Sequence, residues 1–289
     1  MQGTGAPLAT PFAADGTVDH EALAAFTGWA LERGLDFLVP TGSTSEAPLM
    51  TMQERNEVVE TVVEESGDVP VMAGTGHPGT QATIEQTEGA AAAGADAALV
   101  TTPFFYDIDQ AGLIEFYRDV ADASPIPVYL YSVPKFTHKT IQPETVAELA
   151  SHENVAGMKD STGSMEIIQR TANRTEDEDF DLMIGAGSVY APGLDAGAVG
   201  GVLAMANVVP ELASEIRRLH VDGKDDEART LNQRLVDLNR ALTGKYGVPG
   251  VKAALQYRDA PIGTVRRPLE PVEEAAEAEI RELVDEALD

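Results

Sequence analysis

The chain has no cysteine, which excludes a disulfide framework, a thiolate metal site and a cysteine nucleophile. Basic residues are scarce: 20 stand against 48 acidic ones, a formal net charge of −28. Such a surface repels nucleic acid and anionic membranes, so neither is an expected partner. No apolar run reaches the ~18 residues of a membrane span. The N-terminus lacks a basic region followed by an apolar stretch, and a cytoplasmic protein is expected.

What is present is otherwise ordinary for a globular protein, with 43% hydrophobic and 24% charged residues. A chain of 289 residues can bury a sizeable core as one barrel-type domain. Its acids are spread along helix-like segments, densest at Glu176-Asp177-Glu178-Asp179, and 14 of the 20 basic residues are Arg. That distribution reads as a solvated acidic coat suited to a salt-rich, halophilic cytosol, where screening removes the self-repulsion.

Short β-branched runs alternate with amphipathic segments, the pattern of βα units on a parallel sheet. Strands are expected near Gly5–Ala9, Phe37–Pro40, Val69–Ala73, Ala97–Thr101, Pro127–Tyr131, Val155–Lys159, Leu182–Gly185 and Gly201–Met205. Helices are expected between them, one opened by a Thr51/Glu54 capping box and several closed by glycines such as Gly34, Gly67 and Gly94. This implies an α/β fold, a (β/α)8 TIM barrel over residues 1–223. Residues 224–289 read as a C-terminal helical extension of the same domain: a helix over Asp225–Leu242, a turn-rich stretch near Pro249–Tyr257 and a helix over Pro271–Leu288.

Chemistry in such a barrel gathers where the strands end. Lys159, one of only six lysines, closes the apolar run Val155-Ala156-Gly157-Met158. An ammonium in an apolar place is costly, and burial favours the neutral, nucleophilic amine, which forms Schiff bases with carbonyl substrates. A snorkelling or carboxylate-paired lysine is the structural alternative. Tyr131 ends the adjacent strand and would move a proton. Ser43 and Thr44, with their loop amides, offer donors for a carboxylate. Strand alternation turns Asp160 away from Lys159.

Other motifs are weaker. Gly74-Thr75-Gly76-His77-Pro78-Gly79 fits a dinucleotide-binding spacing, but no acid stands at the next strand end to hold a ribose. The five histidines show no paired spacing, so neither a metal nor any other cofactor is expected. Gly185-Ala186-Gly187-Ser188 leads into a helix and is either an anion site or a tight barrel loop.

Thr10-Pro11-Phe12, Gly42-Ser43-Thr44-Ser45-Glu46 with Glu54-Arg55, Ala73-Gly74-Thr75-Gly76, Tyr131-x-x-Pro134, Gly157-Met158-Lys159-Asp160 and Ala206-Asn207-Val208 occur in that order. Together they resemble the dihydrodipicolinate synthase / N-acetylneuraminate lyase family of class I pyruvate aldolases. The resemblance implies a metal-independent aldehyde-lyase acting on a small keto acid and an aldehyde, assembled as a homotetramer. It matches Lys159 to the Schiff-base lysine, Tyr131 to the catalytic tyrosine, Ser43 to the relay hydroxyl, Thr44 to the carboxylate-binding threonine and Val202 to the apolar residue against pyruvate.

Departures then point within the family. The synthases carry an arginine where this chain has Phe136, and a relay tyrosine where it has Phe105, with Tyr106 beside it. Sialic acid lyases place acids where Ala186-Gly187 stands. The branch this leaves resembles 2-keto-3-deoxygluconate aldolase of the Entner-Doudoroff type, cleaving that acid or its 6-phosphate to pyruvate and glyceraldehyde or its 3-phosphate. Arg240 and Lys245 are then candidates for a phosphate, and dihydrodipicolinate synthase is the alternative. The acidic coat makes its own prediction: thermal unfolding followed across a KCl series should show a midpoint that rises with salt, and equal midpoints in dilute buffer and molar KCl would refute the salt-adapted reading.

Overall fold

Eight parallel strands form one sheet in the order β2-β1-β8-β7-β6-β5-β4-β3. They are β1 (Gly3–Ala6), β2 (Phe37–Leu38), β3 (Met72–Gly74), β4 (Ala97–Thr101), β5 (Val128–Ser132), β6 (Val155–Asp160), β7 (Asp181–Ile184) and β8 (Gly200–Val202). The computed structural model describes residues 1–289. A parallel bridge between Leu38 and Val71 and a hydrogen bond from the Gly74 amide to the Pro40 carbonyl (2.9 Å) join the two end strands. The sheet therefore closes on itself as a (β/α)8 barrel.

Both faces of these strands are buried, which is why they read as near-continuous apolar runs rather than alternating ones. Phe37, Val39, Met72, Leu99, Tyr129, Tyr131, Met183 and Val202 fill the barrel interior. Leu38, Val100, Leu130, Met158 and Ile184 face outward and join the larger core beneath the helices. That core receives α1 (His20–Leu31), α2 (Met52–Ser66), α3 (Thr80–Ala92), α4 (Gln110–Ala123), α6 (Pro143–Ala150), α7 (Met165–Arg174), α8 (Tyr190–Asp195) and α9 (Pro210–Val221). Thr51 and Glu54 form the expected capping box at the start of α2. Gly67 and Gly94 follow α2 and α3 with φ of 59° and 95°, a conformation that costs other residues more.

Strand β1 begins and ends earlier than the sequence suggests, because Pro7 has no amide to give the ladder. The Asn207 side chain substitutes, accepting from the Ala9 amide and donating to the Pro7 carbonyl, both at 3.0 Å. A short helix, α5 (Pro134–Thr137), occupies what the sequence leaves as the loop after β5.

The C-terminal segment departs more. Asp225–Leu242 is not one helix but α10 (Asp225–Arg234), α11 (Val236–Arg240) and a π-helical turn, Ala241–Lys245. The stretch expected to be turn-rich is the helix α12 (Gly247–Tyr257). Its Pro249 falls in the first turn, where a missing amide proton costs nothing. Helix α13 (Glu274–Leu288) follows and packs on α12 through Ile280 and Val284. No helix is long and apolar enough to cross a membrane.

Candidate active site

Lys159 lies at the end of β6 and faces the barrel interior, 4% exposed. Strand register sets Tyr131 directly beside it on β5, with the lysine Nζ 4.3 Å from the ring centroid. Three other lysines, Lys139, Lys245 and Lys252, each hold a carboxylate within 4.0 Å, whereas Lys159 holds none. Asp160 is fully buried but points the other way, accepting from the Thr162 amide (2.8 Å) and hydroxyl (2.5 Å). Burial pushes its carboxyl above the usual range, partly offset by those two bonds.

A cavity of about 250 Å3 opens over Lys159, and Ser43, Thr44, Tyr131, Phe136, Gly185 and Val202 line it. Gly185 is there for steric reasons. A Cβ at that position would fall 2.0 Å from Ser161 Oγ and 2.9 Å from the Lys159 Cε, so any side chain would displace the amine. A second cavity of about 510 Å3 lies on the other side of Tyr131 and shares Ser43, Val133 and Phe136 with the first. Tyr131 therefore stands in the wall between the lysine and a larger chamber.

The loop carrying Ser43 and Thr44 is held under backbone strain. Thr41 and Glu46 have φ of 56° and 60°, left-handed values that cost a non-glycine residue of order 1 kcal/mol or more each. Side chains at both ends fix it. Thr41 Oγ1 donates to the Gly74 carbonyl at 2.9 Å. Glu46 is buried and pairs with buried Lys252 of α12 at 2.6 Å, while its other oxygen accepts the Arg266 amide at 2.8 Å. Lys252 also donates to the Thr264 carbonyl (2.6 Å) and sits over Phe12, 4.5 Å from the ring centre. Burial lowers its pKa, against the pull of Glu46. Arg266 in turn binds Glu54 and holds that carboxyl down at about 2.

Arg240 does not join the cavity. It is exposed, whereas its neighbour Asn239 continues the inward row of Asn232 and Leu235 at helical spacing and lines the cavity instead. The Asn239 Oδ1 is buried without a partner and lies where a Cβ on Gly187 would come within 2.6 Å. Lys245 is also directed elsewhere, bonded to Glu279 at 2.6 and 2.7 Å. Sequence reasoning missed Asn239, Ser161 and Lys135, all of which line the lysine cavity. Only Lys135 left a signal, standing beside the Pro134 of the Tyr131-x-x-Pro134 motif.

The histidine spacing hides one cluster that the fold assembles. His220 does cluster with carboxylates, 3.5 Å from Asp195 and 2.9 Å from Asp225, because α8, α9 and α10 converge outside the barrel. Arg229 takes the other Asp195 oxygen at 2.6 Å, so the group is already charge-compensated. Tyr106, beside Phe105, lies in neither cavity; the two are 74% and 87% exposed. Gly74 and Gly76 of the glycine-rich motif prove to be packing devices: a Cβ at Gly74 would meet the Thr41 carbonyl oxygen at 2.3 Å, and one at Gly76 the Thr101 Oγ1 at 2.0 Å.

Comparison with known proteins agrees with this fold. The model of the dihydrodipicolinate synthetase family matches residues 1–287. The chain belongs to that family. The 4-hydroxy-tetrahydrodipicolinate synthase of Methanothrix thermoacetophila is 36% identical over 100% of this chain and 98% of its own length. An uncharacterized DapA-like lyase of Halobacterium salinarum is also 36% identical, over 98% of this chain and 94% of its own. Among solved structures, YagE of E. coli K12 in complex with pyruvate superposes with a TM-score of 0.95 at 27% identity, covering 100% of this chain and 99% of that one. Dihydrodipicolinate synthase from Aquifex aeolicus gives 0.94 at 31% identity, covering 99% and 97%. Membership in the family makes the chain a lyase.

The clamp on the Ser43–Thr44 loop yields a prediction. Lys252→Met strands the Glu46 carboxylate in the interior and should cost about 3–5 kcal/mol, lowering the unfolding midpoint by roughly 6 °C or more. Adding Glu46→Gln should recover most of that loss; a double variant as unstable as the single one would show that the pair is not the determinant.

Proposed function

We propose that the chain is a metal-independent Schiff-base lyase of pyruvate, and that it joins pyruvate to aspartate semialdehyde, the reading in keeping with its relatives named 4-hydroxy-tetrahydrodipicolinate synthase. The observation that carries this is the pairing of an uncompensated buried lysine with a tyrosine on the adjacent strand, 4.3 Å from amine to ring centre. Full-length similarity to proteins with that name supports the choice of aldehyde.

In this reading the neutral Lys159 amine attacks the keto carbon of pyruvate, and loss of water leaves an imine. The imine withdraws electrons from the methyl group, which gives up a proton to form an enamine. The enamine carbon then adds to the aldehyde carbonyl, whose oxygen takes a proton through Tyr131 and Ser43. Thr44 and the loop amides hold the pyruvate carboxylate, Val202 packs against the methyl side, and Gly185 leaves room for the amine. Hydrolysis of the product imine frees Lys159. The proposal includes a homotetramer, for which the exposed Phe105–Tyr106 pair, rings 5.1 Å apart edge to face, offers an aromatic contact.

Phe136 favours a second reading. It lines the mouth of the cavity, 54% exposed, where the synthases carry an arginine, and an aromatic ring gives a carboxylate no charge-assisted bond. The second reading is cleavage of 2-keto-3-deoxygluconate or its 6-phosphate by the same enamine chemistry run in reverse.

Borohydride reduction in the presence of pyruvate should leave a reduced pyruvyl adduct on the Lys159 peptide, read by mass spectrometry; an unmodified Lys159 peptide refutes both readings. Tyr131→Phe should lower kcat by roughly 100-fold or more while adduct trapping persists, and an unchanged kcat would remove its proton-transfer role.

A further inference from the structure

Lys135 is the second residue of α5, four positions beyond Tyr131, and it lines the same cavity as Lys159. In a chain with 48 acidic side chains it has no carboxylate within the 4.0 Å that joins Lys139, Lys245 and Lys252 to theirs. Its Nζ is instead held by the main-chain carbonyl of Thr243, across the mouth in the π-helical turn, and lies 5.2 Å from the centre of the Phe136 ring. A carbonyl takes one of the three ammonium protons and leaves two directed elsewhere. The charge is therefore positioned by a neutral group and remains unneutralised.

We propose that Lys135 recognises the anionic end of the aldehyde substrate, a carboxylate or a phosphate, and so determines which aldehydes this chain accepts. The inference rests on the pyruvate reading above and deepens it. The cavity holds two lysines with distinct jobs: Lys159 at the floor, which bonds to the keto acid, and Lys135 at the rim, which meets whatever the aldehyde carries at its far end. Phe136 beside it, apolar and half exposed, supplies contact area but no charge, so the neighbouring lysine provides the charge that the ring does not. A lysine suits either anion, because an ammonium acts as a point charge without the fixed fork of a guanidinium.

The test compares wild type, Lys135→Met and Lys135→Arg with pyruvate and each of three aldehydes: aspartate semialdehyde, glyceraldehyde 3-phosphate and neutral glyceraldehyde. Lys135→Met should raise KM for the anionic aldehyde that wild type uses by roughly 10- to 100-fold, the worth of one charge-assisted hydrogen bond. It should leave the KM for pyruvate and turnover of glyceraldehyde unchanged, and Lys135→Arg should restore most of the loss. The two anionic arms say whether the partner is a carboxylate or a phosphate. Equal losses on charged and neutral aldehydes, no loss on any, or a wild type that uses only glyceraldehyde would each overturn the assignment. Borohydride trapping of pyruvate in all three proteins separates the two levels: failure in wild type removes the pyruvate reading itself, while intact trapping without charge discrimination removes only Lys135.

Discussion

The Lys159 Nζ stands against the face of Tyr131 with no carboxylate beside it, and that condition governs what its neighbours can be. A carboxylate in contact would stabilise the charged form and keep the amine from attacking a carbonyl. The nearest acid in sequence, Asp160, is turned out of the barrel by strand alternation and satisfied by Thr162. Gly185 must lack a side chain because a Cβ would occupy the lysine's path. Tyr131 is brought alongside by β5–β6 register, and parallel pairing of buried strands is what lets two such side chains converge in a packed interior.

Lys252 shows what a lysine does when burial serves architecture instead. It is as thoroughly enclosed as Lys159, yet it has a carboxylate at 2.6 Å and a carbonyl at the same distance. Breaking such a pair costs several kcal/mol because the remaining charge is stranded. The pair is thus a fixed joint between α12 and the loop that carries Ser43 and Thr44. Pairing, rather than burial, separates Lys159 from Lys252. The joint also explains why a loop with two left-handed non-glycine residues persists: the strain at Thr41 and Glu46 is over-determined by the bonds their side chains make.

The strands were legible because both of their faces are buried, so an apolar run such as Val155–Met158 announces itself without alternation. Lys159 stood out for the same reason, as a charge ending that run. The C-terminal segment was not legible in the same way. Helical periodicity predicts which residue faces inward only while the helix is continuous, and here a break at Leu235 and a π turn at Ala241–Lys245 intervene. Across the break the buried row Ala228, Asn232, Leu235, Asn239 and Leu242 nevertheless keeps helical spacing, so Arg240 stood out by its charge and not by its phase. The partnership of Glu46 with Lys252 joins distant parts of the chain and leaves no local pattern. Lys135 was visible as a residue but not as a member of the site, because α5, the short helix that directs it, is a single turn opened by a proline.

The overall charge sets the terms for any anionic substrate. A chain of net charge −28 repels anions at a distance, so long-range steering works against capture in dilute buffer. In molar salt the screening length shrinks to about 3 Å, and the acidic coat no longer acts on a substrate at the barrel mouth. Recognition must then come from groups in direct contact, where screening has little reach. A cation fixed at the rim by a main-chain carbonyl meets that requirement, since no carboxylate within the chain competes for it. An acidic surface and the proposed anion-binding mouth are therefore compatible wherever the salt is high.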